Sequence, residues 1–357
     1  MIEICPVLMV GGAGTRLWPV SRQSKPKQFQ KLVTGLTMFQ ETVLRVSGTH
    51  DQIEFSAPII IGAAKYRELI EAQLAEINIV PQAIILEPCA RNTAPVAAIA
   101  ADVVQDYSEN AQVLLLPSDH HIEDPETFQQ AVSAASSSAA SGSIVTFGIS
   151  PTGPETGFGY IEAGQSQDKD VNRIAAFVEK PDAATAQKYC DAGNYFWNAG
   201  IFLYTPARMK QEFETHAADI LTASLEAHAA ARIEGPCRYL DNTAFEACRS
   251  DSIDYAVMEK TAHAAVFGPL SCGWNDIGSW NALAARKDTT DTNKIISVGT
   301  ENCYIKTDDN TLVAAVGVKD LIIVAHEGAV LIMRPDQAQN VKQVIAELKS
   351  RGQDDRL

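Results

Sequence analysis

Over its first 150 residues the chain alternates short, continuously apolar runs with amphipathic segments. The runs predict strands at Ile4–Val10, Ala57–Ile61, Ala83–Leu86, Val113–Leu116 and Ser143–Ile149. The amphipathic segments predict helices at Phe39–Val46, Tyr66–Ile77, Ala94–Asp106 and Pro125–Ala140. Because apolar strands separated by helices form parallel sheets covered on both faces, this part of the chain predicts an α/β fold.

The pattern changes twice further along. Residues 151–160 are rich in glycine and proline and predict a long loop, which in a compact domain is usually functional or mobile. A strand at Ile174–Val178, a helix from Ala183, an aromatic run over 195–204 and alanine-rich helices follow. Beyond residue 290 short strand candidates crowd together, at Ile295–Val298, Cys303–Lys306, Leu312–Val316, Leu321–Ala325 and Ala329–Met333, before a helix at Pro335–Leu348.

This change in the pattern of elements predicts two domains, a larger one over residues 1–288 and a small β-rich one over 289–357. The small domain is expected to be a sheet or a short β-helix. Apart from this β-rich part, no segment of the chain repeats at a fixed period.

A glycine-rich turn follows the first strand and is the most informative stretch. Three glycines, Gly11, Gly12 and Gly14, precede four basic residues, Arg16, Arg22, Lys25 and Lys27. Glycine lets backbone N–H groups approach an anion, and the basic side chains can neutralise phosphate oxygens. The dinucleotide fingerprint fails at Leu17, and no P-loop Gly-Lys-Ser/Thr follows. A tight turn with solvated charges remains the alternative.

The composition narrows the class of partner. The chain has 357 residues and a net charge of −15, which disfavours nucleic acid or an anionic membrane surface. No apolar run is long enough to span a membrane, and no leader sequence is evident, so we expect a cytoplasmic protein. Seven scattered cysteines, without a Cys-x-x-Cys pair, favour reduced thiols over disulfides or zinc.

Polar residues follow several predicted strands, where a parallel sheet binds its ligands. Asp119 could hold Mg²⁺ or cap a helix, and Asp276, between two tryptophans, could do either. Glu179 and Lys180 could bind a sugar and a phosphate or form a solvated pair. Asn198 could read a polyol or be structural. Ligand binding and helix capping are equally good interpretations of Arg91, Asn92 and Thr93.

Eight stretches resemble the nucleotidyltransferases that join a nucleoside triphosphate to a sugar 1-phosphate, and most closely the mannose-1-phosphate guanylyltransferase family. They are GGAGTRLWPVSRQSKPKQF, EPCARNTAP, LPSDHHI, ETGFGYIEAG, FVEKP, FWNAGIFLY, SIDYAVMEK and GWNDIGSW, in the family's order from residue 11 to residue 280. The resemblance implies a Rossmann-like nucleotidyltransferase domain with a mixed, mostly parallel sheet. It also implies that GTP and mannose 1-phosphate give GDP-mannose and pyrophosphate with Mg²⁺.

The resemblance further implies a role for each matching residue. The nucleotide would be bound by Gly11, Gly12, Gly14, Thr15 and Ser118, with Arg91, Asn92 and Thr93 near the guanine or ribose. The catalytic cations would be Arg16, Lys27 and Lys180, the last of these contacting phosphates. The metal would be held by Asp119 and Asp276. The sugar would be lined by Gly159, Glu179 and Asn198.

The chain departs from the family pattern at two positions. Lys25 stands where an aromatic residue is more common, which leaves open whether Lys25 or Lys27 neutralises the leaving group, and Ser118 replaces a common alanine. The chain ends at residue 357 without the cupin-like isomerase domain of longer relatives, so we expect one activity. The β-rich tail is expected to form a homodimer.

Two rival functions remain at this point. A sister enzyme using glucose 1-phosphate with UTP or dTTP would share the glycine loop and both aspartates. A non-catalytic nucleotide-sugar sensor could keep the fold, but it would have little need for Arg16, Lys27, Asp119 and Asp276 together. For an enzyme, the residue types suit in-line phosphoryl transfer, because the sugar phosphate is already a nucleophile and needs positioning and charge neutralisation.

Overall fold

The computed structural model describes residues 1–12, 14–286 and 294–357. The chain forms two compact units, each assembled from separate stretches. The first unit comprises Met1–Gly11, Val43–Ser118 and Ile122–Trp274, and the second comprises Gly12–Thr42, Asp119–His121 and Asn275–Leu357. The predicted domain boundary between residues 288 and 289 lies outside the described residues and stays a prediction.

The first unit is built on one large sheet, with thirteen strands among the residues described. The strands are β1 (Ile2–Val10), β2 (Gly48–His50), β3 (Ile53–Phe55), β4 (Ile59–Ala63), β5 (Ala83–Glu87), β6 (Gln112–Pro117), β7 (Ile144–Ile149), β8 (Tyr160–Asp168), β9 (Val171–Val178), β10 (Tyr195–Tyr204), β11 (Arg232–Glu234), β12 (Cys237–Tyr239) and β13 (Ala264–Phe267). The helices are α1 (Met38–Arg45), which leads into this unit, α2 (Arg67–Glu76), α3 (Thr93–Tyr107), α4 (Pro125–Ala140), α5 (Ala183–Ala192), α6 (Pro206–His216), α7 (Ala218–Ala229) and α8 (Asn242–Ala247).

The sheet is mixed, as predicted, with the strand order β11-β12-β5-β4-β1-β6-β10-β7-β13-β9-β8. The expectation that it is mostly parallel holds for the neighbours β12, β5, β4, β1 and β6. It needs correction in the other half, where β10 runs antiparallel to β6, β7 and β8, and β9 runs antiparallel to β8 and β13. Two residues join β8 to β9, and so short a connection permits only an antiparallel hairpin.

The strands and helices predicted in the first 150 residues are all present, within two residues of their predicted bounds. The strand β8 was not predicted, because only its first residues are buried and the rest are exposed and polar. The helix α3 fills much of the space over the sheet, since ten of its residues are buried and most of them are alanine or valine. Its small side chains let neighbouring helices approach closely, and the core of the unit continues through α6 and α7.

Besides Met38–Thr42 of α1, the described residues of the second unit contain five short strands and two α-helices. They are α9 (Trp280–Ala285), β14 (Ile295–Val298), β15 (Tyr304–Thr307), β16 (Val313–Val316), β17 (Ile322–His326), β18 (Ala329–Met333) and α10 (Val341–Ser350). The five predicted strands and the closing helix are therefore confirmed in number and order, although the first turns of the helix are a 3₁₀ segment.

The C-terminal strands stack as two successive coils of the chain. The strands β14 and β15 pair in parallel with β16 and β17, and each residue meets the residue eighteen positions later, as Ile295 meets Val313. Corners repeat at the same interval: Gly299 and Gly317 both have positive φ, and the Asn302 Nδ2 donates to Asp320 Oδ1 at 2.7 Å. The sequence did not reveal this eighteen-residue interval, because two copies of a weak pattern are hard to recognise.

The segment after the glycines packs on these coils within the second unit. Its apolar residues share one buried cluster with the coils, formed by Leu17, Trp18, Val20, Leu32, Met38, Ile277, Trp280, Leu283, Ile322, Val324, Leu331, Met333, Ala338 and Val341. The fully buried Trp280 donates its indole N–H to the Trp18 carbonyl at 2.8 Å, and Trp18 donates to the Arg356 carbonyl at 2.8 Å. The conformation of the glycine-rich segment therefore depends on the C-terminal part of the chain.

None of the helices described is both long and apolar enough to cross a membrane.

Removing the buried indole donor tests this dependence. Trp280→Phe keeps an aromatic ring in the cluster but leaves the Trp18 carbonyl without its donor, so we expect the second unit to lose about 1–3 kcal/mol of unfolding free energy. Hydrogen exchange of peptides from residues 14–42 and 294–357 measures this locally.

The matched control is Trp197→Phe in the first unit, since the Trp197 indole N–H is buried without an acceptor among the described residues. The prediction would be contradicted if Trp280→Phe reduced hydrogen-exchange protection of the second unit no more than Trp197→Phe reduces that of the first unit.

Candidate active site

The glycine-rich turn in the second unit brings the backbone close to a buried lysine. Gly14 has φ +55°, and a Cβ there would lie 2.8 Å from Ser21 Oγ and 2.9 Å from Lys27 Cβ. Gly12 also has positive φ, at +82°. Only glycine fits these positions without strain. A short 3₁₀ turn, Thr15–Leu17, follows and carries Arg16.

Lys27 connects the two aspartates that were predicted to bind metal. Its ammonium lies 2.9 Å from Asp119 Oδ2 and donates to the Asp276 carbonyl oxygen at 2.6 Å. The Lys27 side chain is 9% exposed, whereas Lys25 is exposed. A nearly buried ammonium needs partners of this kind, because desolvation of an unpaired charge costs on the order of several kcal/mol.

A backbone bridge explains how Asp119 and Asp276 meet although they are far apart in sequence. His121 and Asn275 exchange two backbone hydrogen bonds, both at 2.9 Å. The His121 Nδ1 also lies 3.0 Å from Glu41 Oε2. Each aspartate is next to or near one end of this bridge, so the bridge fixes the two segments side by side.

The charge of Asp119 is set by its neighbours. Burial acts to raise the pKa of this carboxyl, but the charges of Lys27 and His120 and the hydrogen bond from Lys27 outweigh it and hold the pKa below the ordinary value. Asp119 is therefore ionised at neutral pH. An ionised carboxylate next to a second aspartate suits a hard cation that takes its other ligands from substrate phosphates. No cluster of three or more His, Cys, Asp or Glu side chains that could hold a metal ion occurs in the described ranges.

The turn at Asp276 is strained and permits only glycine at its end. Ile277, a β-branched residue, has φ +47° and is fully buried. The Gly278 N–H donates to Asp276 Oδ1 at 3.1 Å, and a Cβ at Gly278 would lie 2.5 Å from Asp276 Oδ2 and 3.1 Å from Arg16 Nη2. The turn thus brings the Arg16 guanidinium and the Asp276 carboxylate to one glycine. Backbone strain of this kind concentrates at functional positions.

The nucleotide residues predicted in the first unit have partners within that unit. Arg91 donates to the Glu246 carbonyl oxygen at 2.5 Å. Asn92 caps α3 by accepting from the Thr93 N–H at 2.9 Å, and Thr93 Oγ1 accepts from the Ile253 N–H at 3.0 Å. These contacts match the helix-capping alternative, while a role in nucleotide binding stays a prediction. Gly11 ends the first stretch of the same unit.

Ser118 is fully buried at the end of β6. Its Oγ donates to the Met9 carbonyl oxygen at 2.9 Å, and its N–H donates to the same oxygen at 3.1 Å. This double contact ties the end of β6 to β1, and any contact between Ser118 and a nucleotide stays a prediction.

The residues predicted to line a sugar meet in the first unit. Glu179 and Lys180 follow β9, and the Lys180 ammonium lies 2.5 Å from Glu179 Oε1. A Cβ at Gly159 would lie 2.5 Å from Glu179 Oε2 and 3.4 Å from Asn198 Cβ. The Asn198 N–H also donates to the Gly159 carbonyl at 2.8 Å. Gly159, Glu179 and Asn198 are therefore neighbours, as expected.

The Asn198 amide lies at a bulge of β10 and is held from three sides. Its Oδ1 accepts from the Gly200 N–H at 3.0 Å. The Thr146 hydroxyl oxygen lies 2.9 Å from Oδ1 and 3.0 Å from the Ile201 carbonyl oxygen, and its single proton is donated to one of the two at a time. Its Nδ2 donates to Asp254 Oδ1 at 3.1 Å. Asp254 was not among the predicted site residues, although it lies within the SIDYAVMEK stretch, and it begins a π-helical turn, Asp254–Met258. Such turns occur often at functional sites, but this one is visible only in the structure.

The ionisable groups of this cluster shift each other's pKa values. Burial raises the pKa of Asp254 to about 7, and the negative charge of Glu179 adds to that rise. Burial acts to lower the pKa of Lys180, but the hydrogen bond to Glu179 and its charge outweigh burial and raise it. At neutral pH the cluster thus holds a charged lysine and one carboxyl close to its titration point.

Two family descriptions cover almost the whole chain. The family described as nucleotidyl transferase matches residues 5–293, and the MannoseP isomerase/GMP-like beta-helix domain matches residues 293–348. The second match agrees with the two stacked coils and with the short β-helix expected from the sequence.

Known proteins resemble the chain along its length. It is 41% identical over 357 residues to the xanthan biosynthesis protein XanB of Xanthomonas campestris pv. campestris, covering 99% of this chain and 74% of that protein. It is 41% identical over 361 residues to the mannose-1-phosphate guanylyltransferase of Escherichia coli K12, covering 98% and 74%. A Thermus thermophilus crystal structure, described as a mannose-1-phosphate geranyltransferase, superposes with a TM-score of 0.81 at 30% identity, covering 98% of this chain and 100% of that one.

The Escherichia coli guanylyltransferase is 41% identical to this chain over 98% of its length. The nucleotidyl transferase family matches residues 5–293. The chain belongs to the mannose-1-phosphate guanylyltransferase family of nucleotidyltransferases.

Proposed function

We propose that this protein transfers GMP from GTP to α-D-mannose 1-phosphate and releases pyrophosphate. The observation that carries the proposal is the buried Lys27 ammonium, held between Asp119 and the Asp276 carbonyl. With Arg16 near the same turn, this arrangement supplies the cations and carboxylates that phosphoryl transfer requires.

The reaction needs no strong base. A phosphate oxygen of mannose 1-phosphate attacks the α-phosphorus of GTP and forms a new P–O bond. The bond between the α-phosphorus and the oxygen leading to the β-phosphate breaks, and pyrophosphate leaves with that electron pair. Arg16 and Lys27 neutralise the charge that develops on the triphosphate, with Arg16 able to bind two oxygens in its forked geometry.

The buried position of Lys27 bears on the choice between the two lysines. Lys27 is fixed by two partners, whereas Lys25 is exposed. A fixed charge stabilises a transition state without reorganising during the reaction, which favours Lys27 as the group that neutralises the leaving pyrophosphate.

Mg²⁺ is the proposed cofactor, and Asp119 and Asp276 are its proposed ligands. Both are carboxylates of the second unit, and Asp119 is ionised at neutral pH. When bound, the cation supplies further neutralisation of phosphate charge. The remaining ligands would come from the substrate, because two carboxylates do not fill its coordination shell.

The substrate contacts are proposed from the family pattern and the geometry within each unit. For the nucleotide we propose Gly11, Gly12, Gly14, Thr15, Arg91, Asn92, Thr93 and Ser118. For the sugar we propose Gly159, Glu179 and Asn198, with Lys180 on the phosphates.

A pyrophosphate-release assay tests the function directly. GTP, ATP, UTP and dTTP are each paired with mannose 1-phosphate and glucose 1-phosphate, with Mg²⁺ present. We expect GTP with mannose 1-phosphate to give the highest kcat/KM. Preference for UTP or dTTP with glucose 1-phosphate would replace the proposal by the sister activity, and binding without pyrophosphate release would indicate a sensor.

Both aspartates are expected to be essential for Mg²⁺-dependent turnover. Asp119→Asn and Asp276→Asn keep an oxygen acceptor for Lys27 and for the Gly278 N–H but remove a negative charge. We expect kcat/KM to fall by at least about a hundredfold, as for the loss of one fixed charge-stabilising group. Pyrophosphate release across a Mg²⁺ titration measures it.

The control for both variants is Asp336→Asn, an exposed residue of the second unit that pairs with Arg334. Near-normal turnover in either site variant, with the control also normal, would remove that residue from the metal site.

The Lys180 ammonium is expected to position a substrate phosphate. Lys180→Ala removes a charge that its hydrogen bond to Glu179 helps to keep. We expect kcat/KM to drop by roughly tenfold to a hundredfold, with Lys188→Ala, an exposed lysine on α5, as the control. An unchanged kcat/KM for Lys180→Ala would defeat the assignment.

A homodimer is also proposed, formed through the C-terminal coils. Ile296 and Val298 lie on one face of β14 and are exposed, and the neighbouring Val316 is exposed as well. Exposed apolar patches mark interaction surfaces. We expect light scattering to give twice 38.5 kDa and Val316→Lys to shift that mass toward the single chain. A single-chain mass for the unmodified protein at every concentration would refute the dimer.

A further inference from the structure

The bulge of β10 leaves the Asn198 amide with a free donor position. Its oxygen accepts from the Gly200 N–H at 3.0 Å, and the Thr146 hydroxyl shares its single proton between this oxygen and the Ile201 carbonyl. A backbone N–H can only donate, so the oxygen cannot exchange places with the nitrogen. One amide N–H points to Asp254, and one N–H remains. Asn198 therefore offers a ligand one N–H donor.

Asp254 supplies an acceptor beside this donor. Its Oδ1 accepts from Asn198, and among the described residues no other side chain donates to this carboxylate. The residue is half-buried, at the start of its π-helical turn. The remaining N–H of Asn198 and the free lone pairs of Asp254 form an adjacent donor and acceptor.

A hydroxyl group is the ligand that matches such a pair, because it donates one hydrogen bond and accepts others. We propose that Asp254 binds a hydroxyl of the sugar phosphate directly, together with the free N–H of Asn198. This inference rests on the proposed function and adds a residue to its sugar site. It assigns Asp254 to specificity, since a site built to pair a hydroxyl discriminates against a substrate that lacks it.

The titration of Asp254 should then appear in substrate binding. The charged groups that face it are Glu179, whose charge raises its pKa, and Lys180, whose charge lowers it. With a pKa of about 7, the carboxyl is a full acceptor above that pH and is protonated below it. The KM for mannose 1-phosphate should therefore rise as pH falls from 8 to 6. The phosphate of the substrate and the buried Glu87, whose pKa is also about 7, titrate in the same window.

The raised pKa of the Asp254 carboxyl also makes the stability of the folded chain depend on pH. Its pKa in the folded chain lies above that of an ordinary carboxyl, so the folded state binds more protons between about pH 4 and pH 7. The stability contributed by this group is full below the ordinary pKa and is lost as pH rises through about 7. Asp254→Asn removes that part of the pH dependence whether or not the protein is an enzyme.

The decisive experiment compares Asp254→Asn with the unmodified protein on mannose 1-phosphate and on its 2-, 3-, 4- and 6-deoxy analogues. We expect the variant to raise KM for mannose 1-phosphate about tenfold, the value of one good hydrogen bond, with KM for GTP and kcat nearly unchanged. For one deoxy analogue, the KM with the unmodified protein should be about tenfold higher than for mannose 1-phosphate. Asp254→Asn should not raise the KM for that analogue any further. The rise of KM below pH 7 should shrink in the variant, while the part due to the phosphate and Glu87 remains.

The control is Asp102→Asn, another partly exposed carboxylate of the first unit, which pairs with Lys210 and His228. The proposal would be overturned if Asp254→Asn and the missing hydroxyl raised KM independently for every deoxy analogue. It would also be overturned if Asp254→Asn changed KM no more than the control does. If the unmodified protein releases no pyrophosphate, the proposed function fails. Calorimetric binding of mannose 1-phosphate to the two proteins then tests Asp254, and equal affinities would overturn the inference.

Discussion

The second unit depends on one constraint, which is the pairing of a lysine charge that is almost removed from water. The Lys27 ammonium reaches the Asp119 carboxylate and the Asp276 carbonyl, so three distant stretches of chain must meet around it. The backbone bridge between His121 and Asn275 holds two of those stretches, and the apolar cluster around Trp280 holds the third. The glycine-rich segment is therefore fixed by the C-terminal part of the chain as much as by its own glycines.

The two units control the charge of their carboxylates by opposite means. Near Asp119, positive neighbours overcome burial and keep the group ionised. Near Asp254, burial and the negative charge of Glu179 act together and bring the group to its titration point near neutral pH. The first arrangement suits a permanent charge beside phosphates, and the second suits recognition of a neutral hydroxyl. The same residue type thus has opposite pKa shifts in the two units because its surroundings differ.

Sequence reasoning found the elements that have a strong hydrophobic period, including β1, β6, α3 and the five C-terminal strands. It missed β8, whose outer residues are exposed. It also overestimated the parallel share of the mixed sheet, because pairing direction is set by connections and not by strand composition. It named Asp119 and Asp276 but could not bring them together, since their approach depends on a bridge between His121 and Asn275. It passed over Asp254, because a half-buried carboxylate becomes distinctive only when its partner, Asn198, is known.

The stacking of the C-terminal coils restricts how this part of the chain can change in length. Each residue of β14 and β15 rests on the residue eighteen positions later, and the corners at Gly299 and Gly317 coincide. Addition of a whole coil would keep every inward side chain facing the core and every corner over a corner. Any other insertion within a coil must bulge outward as a loop, because a shift of one residue would turn the apolar face of the following strand toward solvent. The eighteen-residue turn therefore sets a unit of length by which this part of the fold can grow or shrink.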